Sequence, residues 1–495
     1  MTESSEINKY GKNVSYSIVG NIITTILLFI QIPILTRGLG ATYYGTWSLI
    51  NITVSLLSPL AMLGFNSSLI RFLAAEKSTE KLSEDFFSAC IIVAICAFVI
   101  SAILFLLSGL LAKTIFGGTN SILVVKLTSI LIILDSLYTT FIMYFIMKKN
   151  ILLLTIFNVS YAIFQTGLII FFLALGQKLT GVVIGWIIDL LGTSMIALLI
   201  ILGQLKFHRP RFTNIRSYLK YGLPLMGIPA ILWIIYASDR YLISYFLGDS
   251  ATGIYSAAYG VGGYADFMLA AVCNVLFPTI SKLFDEGNLE KTKSYMKYTL
   301  KFLIMLIIPS AAGLSVLATQ LLKIITTQAF IAGSVVVPFI AFSSVFNCFY
   351  QICIFVMLLY HKTQINFWLL LIAAFLNILL NLILIPSMGI VGSALASLTA
   401  FGVLGTMTFF VSRRYFKFDI GAIFILKSFI SAALMMLCIW LIKPESLMGL
   451  AISIIIGIVA YFAILGLMKG FSRQEINYLI SFMKNQFKRT GHLDE

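Results

Sequence analysis

The sequence predicts an all-α, polytopic membrane protein with about 14 transmembrane helices, arranged as two parallel six-helix lobes followed by two C-terminal helices. Three observations support this prediction: the apolar composition, the length of the apolar runs, and an internal repeat. Of the 495 residues, 60% are hydrophobic and only 11% are charged, whereas a soluble domain carries roughly 25% charged residues. A soluble fold of this length has too little interior to bury so much apolar surface.

The apolar residues fall in runs of about 20 to 28 positions, and each run can cross a hydrocarbon core of roughly 30 Å as a helix. Helices are required because lipid offers the backbone no hydrogen-bond partners. A membrane barrel would instead need short segments of alternating polarity. The first run carries Gln31 and Pro33, and no small-residue cleavage site follows it. We therefore expect a retained span and not a signal peptide.

Basic residues are concentrated in alternate loops, which predicts the orientation of the chain. With the N-terminus placed in the cytoplasm, 26 of the 34 Lys and Arg residues fall on the cytoplasmic side and six on the outer side. This is the positive-inside pattern, and it accounts for the net charge of +15 without a nucleic-acid partner. We predict a multi-pass protein of the cytoplasmic membrane with both termini in the cytoplasm. In residues 471–495, apolar side chains at helical spacing predict an amphipathic helix on the inner membrane surface or, alternatively, one that binds a partner.

An internal repeat predicts the domain organisation. Residues 39–48 (LGATYYGTWS) recur as residues 247–256 (LGDSATGIYS), at an offset of 208. Six predicted spans separate the copies, and because six is even the two halves run in the same direction. We expect a cavity between them that is suited to alternating access. The predicted divisions are an N-lobe at 1–205, a C-lobe at 206–415, two further spans at 416–470 and the tail at 471–495.

Ionisable side chains within the spans are the candidate functional residues, because charge inside a membrane is costly. Asp239 and Arg240 are adjacent in the seventh span. Neighbouring helical residues point about 100° apart, so we expect the two not to pair with each other alone and each to find partners across the cavity. Arg240 would bind anionic groups of a substrate, while Asp239 would orient it or take a coupling proton; a purely structural charge network is the alternative. Asp266 and Asp135, near mid-membrane, are candidate ion-coupling sites, although a buried Asp can also stay neutral.

Polar residues of the first span complete the candidate site. Asn21 and Gln31 would line a hydrophilic cavity or join helices through hydrogen bonds, and Arg37 would contact substrate or anchor the span. The sequence contains no GxxxxGK[ST] loop and no HExxH motif. The six cysteines lie within apolar runs and form no CxxC pair. We therefore expect a protein that is not an enzyme and that has no cofactor, metal site or disulfide.

Several runs resemble a known family. Residues 35–49 (LTRGLGATYYGTWSL) look like the N-terminal signature of polysaccharide transporters, which belong to the multidrug/oligosaccharidyl-lipid/polysaccharide flippase superfamily. Residues 239–243, 247–258 and 389–396 resemble the same family, and the likeness covers nearly the whole chain. Fourteen spans are typical of the O-antigen and lipid II flippases, whereas drug extruders of the superfamily usually have twelve.

The resemblance implies a flippase that moves a polyprenyl-phosphate- or pyrophosphate-linked oligosaccharide or polysaccharide precursor to the outer leaflet. Its implied partners are the lipid-linked glycan, membrane lipids and glycan-assembly enzymes. In the lipid II flippases, basic cavity residues bind the pyrophosphate and the last two spans form a lipid groove; Arg240 is the main basic candidate here. The alternatives are a drug or metabolite exporter of the same superfamily and a non-transporting scaffold for glycan assembly. A membrane glycosyltransferase would need a large polar loop for a nucleotide-sugar site, and the sequence offers none.

Overall fold

The computed structural model describes residues 3–74, 76 and 78–470, so the amphipathic tail predicted for 471–495 lies outside the described residues. The described part of the chain is helical and contains no strand. The first ten helices are α1 (Glu3–Ala61), α2 (Phe65–Leu73), α3 (Thr79–Leu106), α4 (Ser108–Thr114), α5 (Ile122–Met147), α6 (Ile151–Ala174), α7 (Lys178–Gln204), α8 (Ile215–Leu225), α9 (Gly227–Ala237) and α10 (Asp239–Leu247).

The remaining helices are α11 (Asp249–Gly263), α12 (Phe267–Asp285), α13 (Leu289–Val316), α14 (Ala318–Ile325), α15 (Val337–Leu359), α16 (Thr363–Met388), α17 (Ile390–Tyr415), α18 (Ala422–Ile442) and α19 (Leu447–Leu467). Short 3₁₀ segments lie at Thr119–Ser121, Phe212–Asn214, Tyr264–Asp266 and Gln328–Val335. Among the described residues, four helices are directly preceded by a Ser or Asn whose side chain accepts a hydrogen bond from the backbone N–H three residues later, which satisfies a donor that the first turn leaves free. These four capping residues are Ser78, Asn150, Asn288 and Ser446.

Twelve helical segments in the described residues are long and apolar enough to cross a membrane, which confirms an all-α, multi-pass membrane protein. The predicted count of 14 is two higher. One of the twelve, Val19–Ala61, has 43 residues, about twice what a single crossing needs, and its helix is interrupted at Gly40. The segment from α11 to α12 is broken by the 3₁₀ turn at Tyr264–Asp266 and is not among the twelve. Fourteen crossings therefore stay a prediction.

The two copies of the sequence repeat share a backbone feature. Gly40 has φ 71° and ψ 173°, and Gly248, which is 208 residues later, has φ 83° and ψ 174°. This combination is essentially restricted to glycine, because a Cβ would clash with the backbone. At each Leu-Gly pair, one helical stretch thus ends and the chain changes direction before the next stretch begins. The repeat therefore exists in local structure as well as in sequence, while the division into lobes at 1–205 and 206–415 stays a prediction.

The chain divides into two compact units. Unit 1 comprises Met1–Ala258, Ile325–Gly333 and Leu370–Ala396, and unit 2 comprises Tyr259–Ile324, Ser334–Leu369 and Ser397–Glu495. In unit 1, α1 packs on α6, and α5 packs on both α3 and α7. Its core is rich in aromatic side chains, such as Trp47 and Trp186, whose ring centroids are 5.2 Å apart. This packing buries the apolar faces of the helices against one another.

In unit 2, α13 is the central helix and packs against α12, α15 and α18, while α19 packs on α18. Residues Ile304, Ile307 and Ile308 of α13 are fully buried. At one end of the unit, Lys297 of α13 forms an ion pair of 2.7 Å with Asp419, in the segment between α17 and α18. The pair therefore ties α13 to the chain that leads into α18.

Candidate functional site

Asp239 and Arg240 form a buried ion pair in unit 1. Asp239 is fully buried and Arg240 is 7% exposed, and Arg240 Nη1 donates to Asp239 Oδ1 at 2.8 Å. The two neighbours pair with each other but not with each other alone, since each has a further partner in unit 1. The long Arg240 side chain folds back along the helix, so Nη1 also donates to the carbonyl of Tyr236, one turn earlier. This places the guanidinium beside the carboxylate despite the divergent Cβ directions.

The second copy of the repeat completes this charge network. Tyr255 of α11 is fully buried, and its hydroxyl donates to Asp239 Oδ2. The Arg240 guanidinium lies 5.6 Å from the centre of the Tyr255 ring, as in a cation–π contact. Asp239 thus accepts hydrogen bonds from a charged donor, Arg240, and from a neutral donor, Tyr255. Removing either member of a buried ion pair leaves the other charge uncompensated, so this network stabilises the packing of α10 on α11.

A cavity of about 320 Å³ lies next to the charge network, between the α1–α2 region and the α8–α9 region of unit 1. Its polar lining residues are Ser55, Asn66, Ser67, Trp233 and Tyr236. Trp233 Nε1 donates to Ser55 Oγ at 3.0 Å. Tyr236 both lines the cavity and accepts the hydrogen bond from Arg240. Tyr236 therefore connects the ion pair to a cavity whose wall offers hydroxyl, amide and indole groups to a ligand.

The two copies of the repeat contact each other reciprocally within unit 1. A Cβ placed on Gly45 would lie 1.9 Å from the carbonyl oxygen of Asp249, and one placed on Gly253 would lie 2.0 Å from that of Ala41. Ser48 Oγ donates to Ser256 Oγ at 2.7 Å. Gly45 and Gly253, Ala41 and Asp249, and Ser48 and Ser256 are each separated by 208 positions. The contact therefore has the self-complementary form of a two-fold interface, which we call the repeat contact.

Asp249 is a buried polar residue at the repeat contact that the sequence analysis did not identify. It is 5% exposed, and its carboxylate accepts hydrogen bonds from Thr46 at 2.6 Å and from Ser244 at 2.9 Å. The sequence carried a usable signal, because Asp249 stands where the first copy has Ala41. A charged residue that replaces a small one in an otherwise similar repeat indicates a role specific to that copy.

A second cluster that the sequence analysis missed joins α3 to α8. The Tyr218 hydroxyl donates to Asp85 Oδ2 at 2.7 Å, and Asn214 Nδ2 donates to the same oxygen at 3.0 Å. Glu84 forms an ion pair of 3.1 Å with Arg211. Two adjacent acids at the start of an apolar run were the available signal. The cluster fixes the segment before α8 against the start of α3.

The remaining predicted residues lie apart from the ion pair. Gln31 Nε2 donates to Thr166 Oγ1 at 2.9 Å and to Gln165 Oε1 at 3.3 Å, so it joins α1 to α6. Asn21 and Arg37 are exposed on α1. Their roles in binding substrate therefore stay predictions.

Asp135 and Asp266, which were predicted from the sequence as ion-coupling residues, and Asp189, which was not, occupy three different surroundings. Asp135 of α5 is half-buried beside Ser58. Asp189 of α7 is 3% exposed, and its carboxylate has no hydrogen-bond partner among the described residues. Asp266 lies in unit 2, between α11 and α12, and accepts a hydrogen bond from Asn347 Nδ2 at 3.2 Å. The ion-coupling roles of Asp135 and Asp266 therefore stay predictions.

Unit 2 holds a larger and more apolar cavity, of about 480 Å³. It lies between α13 and the pair α18 and α19, and one of its edges is formed by Tyr264. Met305, Pro309, Met435 and Phe462 are representative of its lining. Such a surface suits a hydrocarbon chain, because apolar area is removed from water without a need for hydrogen bonds.

Comparison with known proteins finds relatives whose names describe flippases and transport proteins. It is 26% identical to the "Probable low-salt glycan biosynthesis flippase Agl15" of Haloferax volcanii over 262 residues, which are 51% of this chain and 54% of that protein. It is 23% identical to the "Succinoglycan biosynthesis transport protein ExoT" of Rhizobium meliloti over 64% of this chain and 63% of that one. The chain thus spans only about half to two thirds of the length of these relatives.

Solved structures show the same fold. The structure titled "Lipid II flippase MurJ, inward closed conformation" matches with a TM-score of 0.75 and 17% identity, over 92% of this chain and 98% of that one. A multidrug resistance MATE family transporter of the MOP superfamily, in an inward-facing conformation, matches with a TM-score of 0.63 and 13% identity, over 81% and 97%.

More than half of the sequence matches the model of one protein family. Residues 10–284 match the family described as "Polysaccharide biosynthesis protein". The matched region contains the charge network and both copies of the repeat. The chain therefore belongs to the polysaccharide biosynthesis protein family.

Proposed function

We propose that this protein is a flippase that moves a polyprenyl-phosphate- or pyrophosphate-linked oligosaccharide or polysaccharide precursor across the cytoplasmic membrane by alternating access. Family membership carries the proposal, together with one relative named as a probable glycan biosynthesis flippase and another named as a probable flippase. Moving such a substrate between leaflets makes and breaks no covalent bond in it. We accordingly propose a transporter without enzymatic activity or cofactor, whose partners are membrane lipids and glycan-assembly enzymes.

The two cavities support this substrate class. A charged sugar headgroup pays many kcal/mol to enter hydrocarbon, because its polar groups lose their hydrogen bonds with water. The polar cavity of unit 1 offers replacement hydrogen-bonding groups. The apolar cavity of unit 2 offers a surface for the prenyl chain. Each cavity, taken by itself, suits one of the two chemistries that a lipid-linked glycan contains.

Arg240 is the side chain that we propose for the phosphate of the substrate. A guanidinium binds phosphate through paired, charge-assisted hydrogen bonds. Asp239 occupies it in this structure, so we propose that an anionic substrate takes the place of Asp239 during transport. Asn21, Gln31 and Arg37 are proposed as further substrate-binding groups. Asp135, Asp239 and Asp266 are proposed as ion-coupling groups.

The repeat contact supports an alternating pathway. It joins corresponding positions of the two copies by close backbone approach and one hydroxyl–hydroxyl bond, and such a joint can separate without unfolding either helix. We propose that it closes one end of the pathway and opens once in each cycle. The distribution of basic residues favours the outer end, with both termini in the cytoplasm.

Reconstitution in liposomes with defined prenyl-linked glycans tests the proposal. The assay measures how fast the glycan headgroup becomes accessible to an external reagent, with and without an ion gradient. We expect protein-dependent translocation that Arg240→Gln slows and that Lys113→Gln, at an exposed basic residue, leaves unchanged. Export of cationic dyes with failure for every glycan would instead support a multidrug exporter. Failure with both substrates would support a non-transporting scaffold.

A further inference from the structure

The helical segment formed by α11 and α12 is broken inside unit 2. The helix α11 ends at Gly263, a 3₁₀ turn follows at Tyr264–Asp266, and α12 begins at Phe267. Asp266 directly precedes α12, yet its side chain makes no capping hydrogen bond to that helix. Breaks of this kind within membrane proteins are typical of ion and substrate sites, because they release backbone groups from helical pairing. The carboxylate of Asp266 is therefore available for another role.

Three oxygen-bearing side chains come together at this break. Asn347 of α15 is 3% exposed and holds Asp266 Oδ2 through its amide nitrogen at 3.2 Å. Ser344 lies one turn earlier on the same face of α15, is 1% exposed, and is next to Asp266. Asp266 Oδ1 and Asn347 Oδ1 are buried and have no hydrogen-bond partner at normal bonding distance in the described part of the chain, and the Ser344 hydroxyl is buried within reach of Asp266. Buried polar atoms usually have partners, so unpaired oxygens beside a buried hydroxyl at a broken helix indicate a ligand.

The charge around these oxygens is one negative unit. Helix α15 contains no charged residue, and α13 contains none after Lys301. Ala265, Ala311 and Ala341 form a small apolar cluster at the turn. No ion pair involving Asp266 occurs among the residues that the structure describes. A carboxylate in such surroundings is costly unless a proton or a bound cation neutralises it.

We propose that Asp266, Ser344 and Asn347 form a binding site for a monovalent metal cation of the size of Na⁺. A carboxylate, an amide carbonyl and a hydroxyl are the hard oxygen ligands that such cations prefer. One carboxylate balances a single positive charge, whereas Ca²⁺ takes six to eight oxygens and Mg²⁺ dehydrates reluctantly. The broken helix supplies a place for further ligation by backbone carbonyls.

The same turn connects the cation site to the apolar cavity of unit 2. Tyr264 forms part of the cavity wall and is two residues from Asp266. A cation that orders the turn therefore also fixes one edge of the cavity. Cation binding is independent of the proposed function, whereas its coupling to the movement of a prenyl-linked glycan rests on that function.

Equilibrium binding of ²²Na⁺ to the purified full-length protein tests the site. We expect saturable binding that unlabelled Na⁺ displaces and that choline at the same ionic strength does not. Asp266→Asn should abolish the binding, and Ser344→Ala should weaken it at least about 10-fold, because the loss of one ligand in a small coordination shell is not easily replaced. Ser343→Ala is the matched control, because the neighbouring Ser343 Oγ already donates to the carbonyl of Ile340 and its loss should leave the affinity unchanged.

The outcomes separate this inference from the proposed function. Wild-type protein that translocates glycans but binds no ²²Na⁺ would overturn the cation site and leave the flippase proposal intact. Protein that binds ²²Na⁺ as expected but moves no glycan would overturn the flippase proposal and leave the cation site intact. If Asp266→Asn does not purify as a monodisperse protein, the cation site is tested by comparing the ²²Na⁺ affinities of Ser344→Ala and Ser343→Ala. Equal affinities for those two variants would also overturn the site.

Discussion

A single added methyl group at Gly253 should open the repeat contact. The new Cβ would lie 2.0 Å from the carbonyl oxygen of Ala41, whereas a carbon and a carbonyl oxygen rarely approach closer than about 3.3 Å. The obstacle is backbone and not a flexible side-chain end, so the two helices must separate by about 1.3 Å. Gly45→Ala should act in the same way, because its Cβ would lie 1.9 Å from the oxygen of Asp249.

The size of the effect follows from the cost of overpacking, which is about 1–3 kcal/mol. If the strain is relieved in the state in which the contact is open, the ratio of open to closed protein rises by about 5- to 150-fold. Gly192→Ala is the matched control. Gly192 also lies within a helix of unit 1, but a Cβ there would meet nothing within 4 Å. The control adds the same methyl group without the strain.

A cysteine at position 48 reports the state of the contact, in a background in which the six native cysteines are replaced. Ser48 lies at the contact, against Ser256, so its modification by a membrane-impermeant maleimide requires opening. We expect Gly253→Ala to raise the labelling rate by about 5- to 150-fold and Gly192→Ala to leave it unchanged. Equal rates for the two variants would refute the view that close backbone approach holds this contact shut.

Three further predictions address neighbouring features. Cysteines replacing both Ser48 and Ser256, whose Oγ atoms are 2.7 Å apart, should form a disulfide that stops glycan translocation until a reductant is added; full transport by the cross-linked protein would show that the contact need not open. Asp239→Asn should lower the free energy of unfolding by about 3–5 kcal/mol, because the buried guanidinium of Arg240 loses its carboxylate partner, and additional replacement of Arg240 by Gln should recover part of that loss in denaturant titrations. The lysine paired with Asp419 lowers the pKa of Asp419 below its usual 3.8. The pair therefore stabilises the fold above that usual pKa and loses this effect as the pH falls through the lowered value, so Asp419→Asn should slightly reduce the thermal midpoint at neutral pH and leave it unchanged in strong acid.

Span formation and fold class were predictable because hydropathy and backbone hydrogen bonding in lipid leave few alternatives. The repeat was also visible in the sequence. That the two copies touch was not predictable, because a repeat fixes the relative direction of two segments and not the distance between them. The contact depends on Gly45 and Gly253 having no side chain at a crossing, and glycines in helices have several other uses.

The details of the site required coordinates for a different reason. The argument that Asp239 and Arg240 diverge uses Cβ directions, but an arginine side chain is long enough to return to its own helix. Gln31 was expected either to line a cavity or to join helices. Which of the two occurs depends on whether α6 has hydrogen-bond acceptors opposite Gln31. Gln165 and Thr166 supply these acceptors, so Gln31 joins the two helices. Such registers between distant segments are set by tertiary packing and leave no local trace in the sequence.

The repeat contact and the charge network are parts of one mechanical unit, because both involve the same turn of α11. Gly253 and Ser256 make the contact, and Tyr255 between them holds Asp239 and lies against Arg240. If the contact opens as proposed, this turn moves, and with it the hydroxyl that donates to Asp239 and the ring beside the guanidinium. The set of partners around Arg240 would then differ between the open and closed states. A substrate phosphate that competes with Asp239 for Arg240 would meet a different affinity in the open and closed states, and a difference of this kind is what a transporter needs to take up a ligand on one side and release it on the other.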